Sequence, residues 1–135
     1  ILANKTLQTM GNDQSANTKK AVEETKEGQK YFEQQQFDDA LSHLDMALES
    51  DPDYIEAWDL KGKSLVLSDK YSDDDVISTW SHISEAGKHD EMLKCLDWAL
   101  ELDPNSHLMH SAKARALYDL GHYKPALDSI TIALK

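Results

Sequence analysis

Only one cysteine occurs in the 135 residues, so no internal disulfide can form and nothing ties the chain to an oxidising compartment. Proline and glycine are scarce, at three and five residues, which excludes collagen-like and loop-dominated architectures. Positive charge is short as well: 14 Lys and Arg stand against 25 Asp and Glu, a net charge of −11. No basic stripe survives that balance, so neither nucleic acid nor an anionic membrane surface is an expected partner. Apolar runs are no longer than three or four residues, against the roughly 20 needed to cross a bilayer. The chain opens on Ile1 without a charged-then-apolar leader. That start predicts a cytoplasmic chain, cut or processed ahead of its first residue, and no secretory signal.

What is present is repetition. The segment Phe37–Pro52 matches His89–Pro104 at nine of sixteen positions, among them Leu41/Leu93, Leu44/Leu96, Ala47/Ala99, Leu48/Leu100 and Pro52/Pro104. A third copy follows 34 residues later, where Tyr123, Ala126, Leu127, Ile130, Ala133 and Leu134 fall on His89, Met92, Leu93, Leu96, Ala99 and Leu100. Apolar residues in each copy recur at i, i+1, i+4, i+7 and i+8, the face of an amphipathic helix. Two copies end in Asp-Pro, which stops the helix. A second helical stretch precedes each copy, over about 18–34, 54–69 and 106–120. Gly28, Gly62 and Ala114 share one repeat position there and let paired helices approach closely. Neither helix of a pair can bury its stripe alone, so the pairs must stack.

The set Gly28, Tyr31, Ala40, Leu44, Ala47 and Pro52, with Trp58, Gly62, Leu65, Gly87, Leu96, Ala99 and Pro104, and then Ala114, Leu117, Gly121, Tyr123, Ala126, Ile130 and Ala133, resembles the tetratricopeptide repeat family. The resemblance implies an all-α solenoid of three stacked helix hairpins, over about 21–54, 55–106 and 107–135. Residues 18–135 form that domain and residues 1–17 a mobile leader or short helix. Glu24 and Glu27 stand where Trp and Leu are usual, and His110 replaces the third Trp.

The 52-residue offset exceeds the 34-residue period by 18, which places an insertion at about 69–86 in the second repeat. Ser72 followed by Asp73, Asp74 and Asp75 reads as an N-cap and acidic first turn. Val76, Ile77, Trp80 and Ile83 then predict a short amphipathic helix over about 73–85. Two readings of it stand: an inserted helix docking on the stack near Trp98, or a degenerate second helix of repeat two. Its Trp80 and Ile83 are also a candidate partner surface.

The catalytic search is sparse. His107 and His110, with Asp103 upstream, lack a third ligand in sequence, and a zinc site needs three or four. Cys95 sits on an apolar helix face as a core thiol. No phosphate loop, nucleophile elbow or His-Glu-x-x-His is present, so neither enzyme activity, metal nor cofactor is expected. The resemblance implies instead a concave groove, lined by the first helix of each pair, that holds a peptide or helix of a partner protein. By repeat position it would include Gln29, Phe32, Lys63, Ser111, Arg115 and Tyr118. The Lys/Asn clamp of the family's co-chaperones is absent, since Thr25, Gln29, Leu60, Leu108 and Ala112 hold its places. An acidic groove fits a basic or apolar partner. The last helix carries an exposed-looking stripe of Leu127, Ile130 and Leu134, which predicts a continuing array or a homodimer through that helix. Self-assembly is therefore the alternative function.

Overall fold

A computed structural model describes the backbone of residues 2–135 and the side chains from Ser15 onward. Among the described residues there are seven α-helices and no strand: α1 (Leu2–Glu33), α2 (Phe37–Ser50), α3 (Ile55–Ser68), α4 (Asp73–Glu85), α5 (His89–Leu102), α6 (His107–Asp119) and α7 (Tyr123–Ala133). Residues 2–17, expected as a mobile leader or short helix, are backbone of the 32-residue helix α1.

Two kinds of turn join the helices, and their order sets the architecture. At Gln35, Gly87 and Gly121 the chain turns through a left-handed residue, with φ of 62°, 80° and 82°. Each of these turns closes with the paired backbone bonds of a Schellman motif, such as Gln36 N–H to Tyr31 O at 2.9 Å and Gln35 N–H to Phe32 O at 3.0 Å. Asp69 is left-handed too, with φ 62°. The other kind follows α2 and α5, where the Asp51 and Asp103 carboxylates accept from Asp53 N–H at 3.1 Å and Asn105 N–H at 3.2 Å ahead of the next helix. A regular array alternates the two kinds. Here the turns at Asp69 and Gly87 are left-handed in succession, with no Asp-Pro turn between them.

The consequence is visible in the packing. α3 lies against both α1 and α5, whereas α6 lies against α4. Two helices separate α3 from α6, where one separates α1 from α3, so the first helix of the last hairpin falls in the opposite row. The link between α4 and α6 is polar at their N-termini. Ser106, the α6 N-cap, donates its hydroxyl to Asp73 and accepts from Met109 N–H at 3.2 Å. α4 itself starts on a complete capping box between Ser72 and Asp75.

α4 fills the place opposite α3 that α2 fills opposite α1. Leu44 sits over Gly28, and Trp80 sits over Gly62 so closely that a Cβ there would lie 2.0 Å from the indole nitrogen. Trp80 Nε1–H donates to the Asp59 carbonyl at 3.2 Å. Around it Leu65, Val76, Ile83, Met92, Cys95 and Leu96 form the larger core, with Trp98 packed half-buried on its edge. A second core of Ala21, Leu44, Ala47, Leu48, Ala57 and Leu60 joins the first two hairpins. These cores bury most of the apolar stripes of the first two copies, whereas the third copy leaves Tyr123, Leu127 and Ile130 exposed.

Candidate functional site

The six groove residues fall on both rows. Gln29 and Phe32 lie on α1 and Lys63 on α3, while Ser111, Arg115 and Tyr118 lie on α6 in the opposite row, because of the doubled left-handed turn. Several already have work within the chain. Gln29 donates to Glu33 at 3.1 Å. Phe32 meets Phe37 edge-on across the first hairpin turn at 5.7 Å, and Tyr118 meets Tyr123 the same way across the last at 5.2 Å. Lys63 pairs with Asp59 at 3.0 Å and lies over the Trp98 ring at 5.6 Å. Ser111, Arg115 and Tyr118 stay exposed, Tyr118 at 63%.

Trp80 and Ile83 are not a partner surface. Both are 0% exposed, because α4 turns its apolar face onto Gly62 and the α5 core. The outward face of α4 carries His82, which stacks on Trp58 with ring centroids 3.9 Å apart.

The histidines at the start of α6 have structural uses. Trp58 Nε1–H donates to the Pro52 carbonyl at 2.7 Å, bracing the turn ahead of α3. His110 occupies the same repeat position and reaches the Pro104 carbonyl with Nε2 at 2.8 Å. A carbonyl can only accept, so Nε2 carries the proton, and Nδ1 is left buried without a partner. The imidazole thus replaces tryptophan by keeping its donor; the matching 52-residue spacing of Pro52 and Pro104 was the available signal. His107 Nδ1 lies 2.6 Å from the Ala133 carbonyl and ties α6 to α7. Among the described residues no three His, Cys, Asp or Glu side chains group as a metal site.

Ser84, His89 and Asp119 come together in a way that invites a catalytic reading and does not support one. Ser84 Oγ is 2.7 Å from His89 Nδ1, and the Asp119 carboxylate is 4.0 Å from that same nitrogen. Relay of a proton needs the serine and the carboxylate on opposite ring nitrogens. Cys95 is equally unsuited to nucleophilic work: burial, reinforced by the Asp59 carboxylate, pushes its thiol up to about 12.

Beside this group lies an open cleft of about 410 Å³ between α4, α5 and α6. Ile77, Met92, Ala112 and Ala116 form its floor, and Glu85, Arg115 and Asp119 stand around it. Large apolar side chains also surface on the last two helices, including Leu108, Tyr118, Leu127, Ile130 and Leu134. No described helix is long and apolar enough to cross a membrane.

The class that the fold defines is an α-solenoid of stacked helical hairpins. Its repeat residues and close-approach glycines resemble those of tetratricopeptide repeats, and its turn types alternate as in such an array except at Asp69 and Gly87. No protein-family model matches the chain, and no curated protein matches it in sequence. Among solved structures, it is similar to the second TPR of Spaghetti (RPAP3) bound to the HSP90 peptide SRMEEVD, with 14% identity, TM-score 0.47 and 94% of each chain covered. A crystal structure of MamA is similar with 16% identity and TM-score 0.43, over 84% of this chain and 76% of MamA. A second MamA structure, from MSR-1, shows 23% identity and TM-score 0.38, over 78% of this chain and 70% of that one.

Proposed function

We propose that the chain is a protein-interaction scaffold, and not an enzyme, that holds a peptide or helix of a partner protein on the solenoid surface. The observation that carries this reading is where unused side chains collect. α6, α7 and the C-cap of α7 expose Leu108, Tyr118, Leu127, Ile130 and Leu134, and α6 exposes Arg115 as well. Exposed apolar and aromatic groups on neighbouring helices, with an arginine, are the composition of binding surfaces. The excess of acid favours a basic or apolar partner.

A second reading has its own observation. Leu127 on α7 and Leu134 at its C-cap are 64% and 83% exposed, beside half-buried Ala133, and two copies of that stripe could cover each other. Sedimentation separates the two readings. A monomer at tens of micromolar that captures a partner, and loses it in Leu108→Ala/Tyr118→Ala, supports the scaffold. A dimer dispersed by Leu127→Asp/Leu134→Asp, with no partner captured, supports self-assembly and overturns the first reading.

A further inference from the structure

We propose that the cleft between α4, α5 and α6 docks a basic amphipathic helix of a partner protein, whose aliphatic side chains enter the floor while its lysines or arginines meet Glu85 and Asp119. The inference rests on the scaffold reading and names the surface and the partner chemistry for it.

The cleft follows from the doubled left-handed turn. α6 lies beside α4 instead of α3, and its facing positions Ala112 and Ala116, one turn apart, are too small to fill the space to Ile77 and Met92. The apolar-floored opening of about 410 Å³ has room for aliphatic side chains from one face of a docked helix. Its hydroxyls are already used: Ser81 Oγ donates to the Ile77 carbonyl at 2.8 Å, and Ser84 bonds His89. Its carboxylates are not balanced. Glu85 and Asp119 have only histidine nitrogens near them, at 3.6 and 4.0 Å, and no Lys or Arg within 4.0 Å among the described residues. A cation brought by a partner would supply that missing charge, and the net charge of −11 would steer it in. Arg115 forms no ion pair among the described residues and stands on the same rim. It excludes a partner lysine from its own position, which fixes the register of the docked helix.

The test uses the full chain and a labelled 14-residue Leu/Lys amphipathic helix, with a Leu/Glu helix of the same pattern as control, read by fluorescence anisotropy. The Leu/Lys peptide binds and the Leu/Glu peptide does not. Glu85→Lys and Asp119→Lys each weaken binding roughly fivefold, and Arg115→Glu strengthens it about threefold, the scale of single rim charges. Ala112→Leu fills the floor with a good helix former and abolishes binding while the melting temperature holds. Glu101→Lys and Asp128→Lys, exposed acids away from the cleft, give the same net charge and leave affinity unchanged. Equal weakening by these two, or binding that survives Ala112→Leu, overturns the cleft assignment. If binding is lost instead in Trp98→Ala/Lys63→Glu, on the other row, the cleft fails but the scaffold reading stands. If the chain binds no helix and captures no partner, both fail.

Discussion

Replacing Gly62 by alanine sets two effects of opposite sign against each other at one atom. In a helix interior alanine is better than glycine by about 1 kcal/mol. The added Cβ, however, would lie 2.0, 2.3 and 2.6 Å from Nε1, Cε2 and Cδ1 of Trp80. Ordinary carbon contacts begin near 3.5 Å, so the ring must retreat by about 1.5 Å. It has nowhere to go, being fully buried, and moving breaks its bond to the Asp59 carbonyl. Overpacking of about 1–3 kcal/mol and a lost hydrogen bond of about 1 kcal/mol outweigh the propensity gain. We expect a net loss of about 2 kcal/mol, or about 8 °C in melting temperature for a chain of this size. Gly28→Ala is the internal control: its nearest contacts are Leu44 at 3.1 Å and Ala40 O at 3.3 Å, which small shifts relieve, so it is near neutral. Urea titrations followed by circular dichroism give both values. Trp80→Leu makes room, so the pair Gly62→Ala/Trp80→Leu should lose less than the two single losses added. A Gly62→Ala chain as stable as wild type, or strict additivity in the pair, would show that the helices do not meet as described.

The remaining predictions concern turns, a thiol and an indole. Gln35→Gly and Asp69→Gly remove side chains from left-handed positions and should each stabilise by about 1 kcal/mol, whereas Gly121→Ala should cost about as much; thermal melts decide the signs. Cys95 has a folded pKa of about 12 against 9.0 for the free thiol, so it resists iodoacetamide at pH 8 until the chain unfolds. Because the unfolded thiol ionises first, its contribution is complete below pH 9 and is lost as pH rises toward 12, and Cys95→Ser should flatten that fall in stability. Trp58→Phe keeps one aromatic ring but removes the donor to Pro52 and part of the stack on His82, costing at least about 0.5 kcal/mol, while His110→Trp retains the equivalent bond and leaves the midpoint unchanged.

Much of the fold was legible because burial stamps its period on the chain. The stripe Ala40, Leu41, Leu44, Ala47 and Leu48 is buried, as are Met92, Leu96, Ala99 and Leu100 at the same spacing. Helix α4 begins and ends where its cap and apolar spacing placed it. The same pattern cannot say which row a helix joins, since that depends on the hand of the turns. Asp69 is not a glycine, so its left-handed conformation leaves no mark in composition. Trp80 and Ile83 read as a surface because amphipathicity shows that a face is apolar without showing what covers it. Ile130 is 41% exposed, in keeping with the stripe it shares with Leu127 and Leu134, since α6 alone packs against α7 among the described residues. The candidate groove residues depended wholly on row membership, and so they divided between α1 and α3 on one side and α6 on the other.

If two successive left-handed turns alone divide the rows, removing one of them with its helix should reunite them. Deleting residues 69–86 joins Ser68 to Gly87, which already sits at φ 80° in a Schellman turn. The 18 residues lost bring Leu96 to the same separation from Gly62 that Leu44 keeps from Gly28. Leucine over glycine then replaces tryptophan over glycine, an arrangement that the first hairpin shows to be packable. The shortened chain should fold cooperatively, at reduced stability because the core loses Val76, Trp80 and Ile83. Its α3 and α6 should become neighbours in one row, about 8–10 Å apart. Lys63→Cys and Arg115→Cys, at equivalent repeat positions, report this in a Cys95→Ser background. A short dithiol cross-linker should join them in the deletion variant and leave the full chain uncoupled. A cooperative deletion variant that does not cross-link, or a full chain that does, would mean that something other than turn order sets the rows.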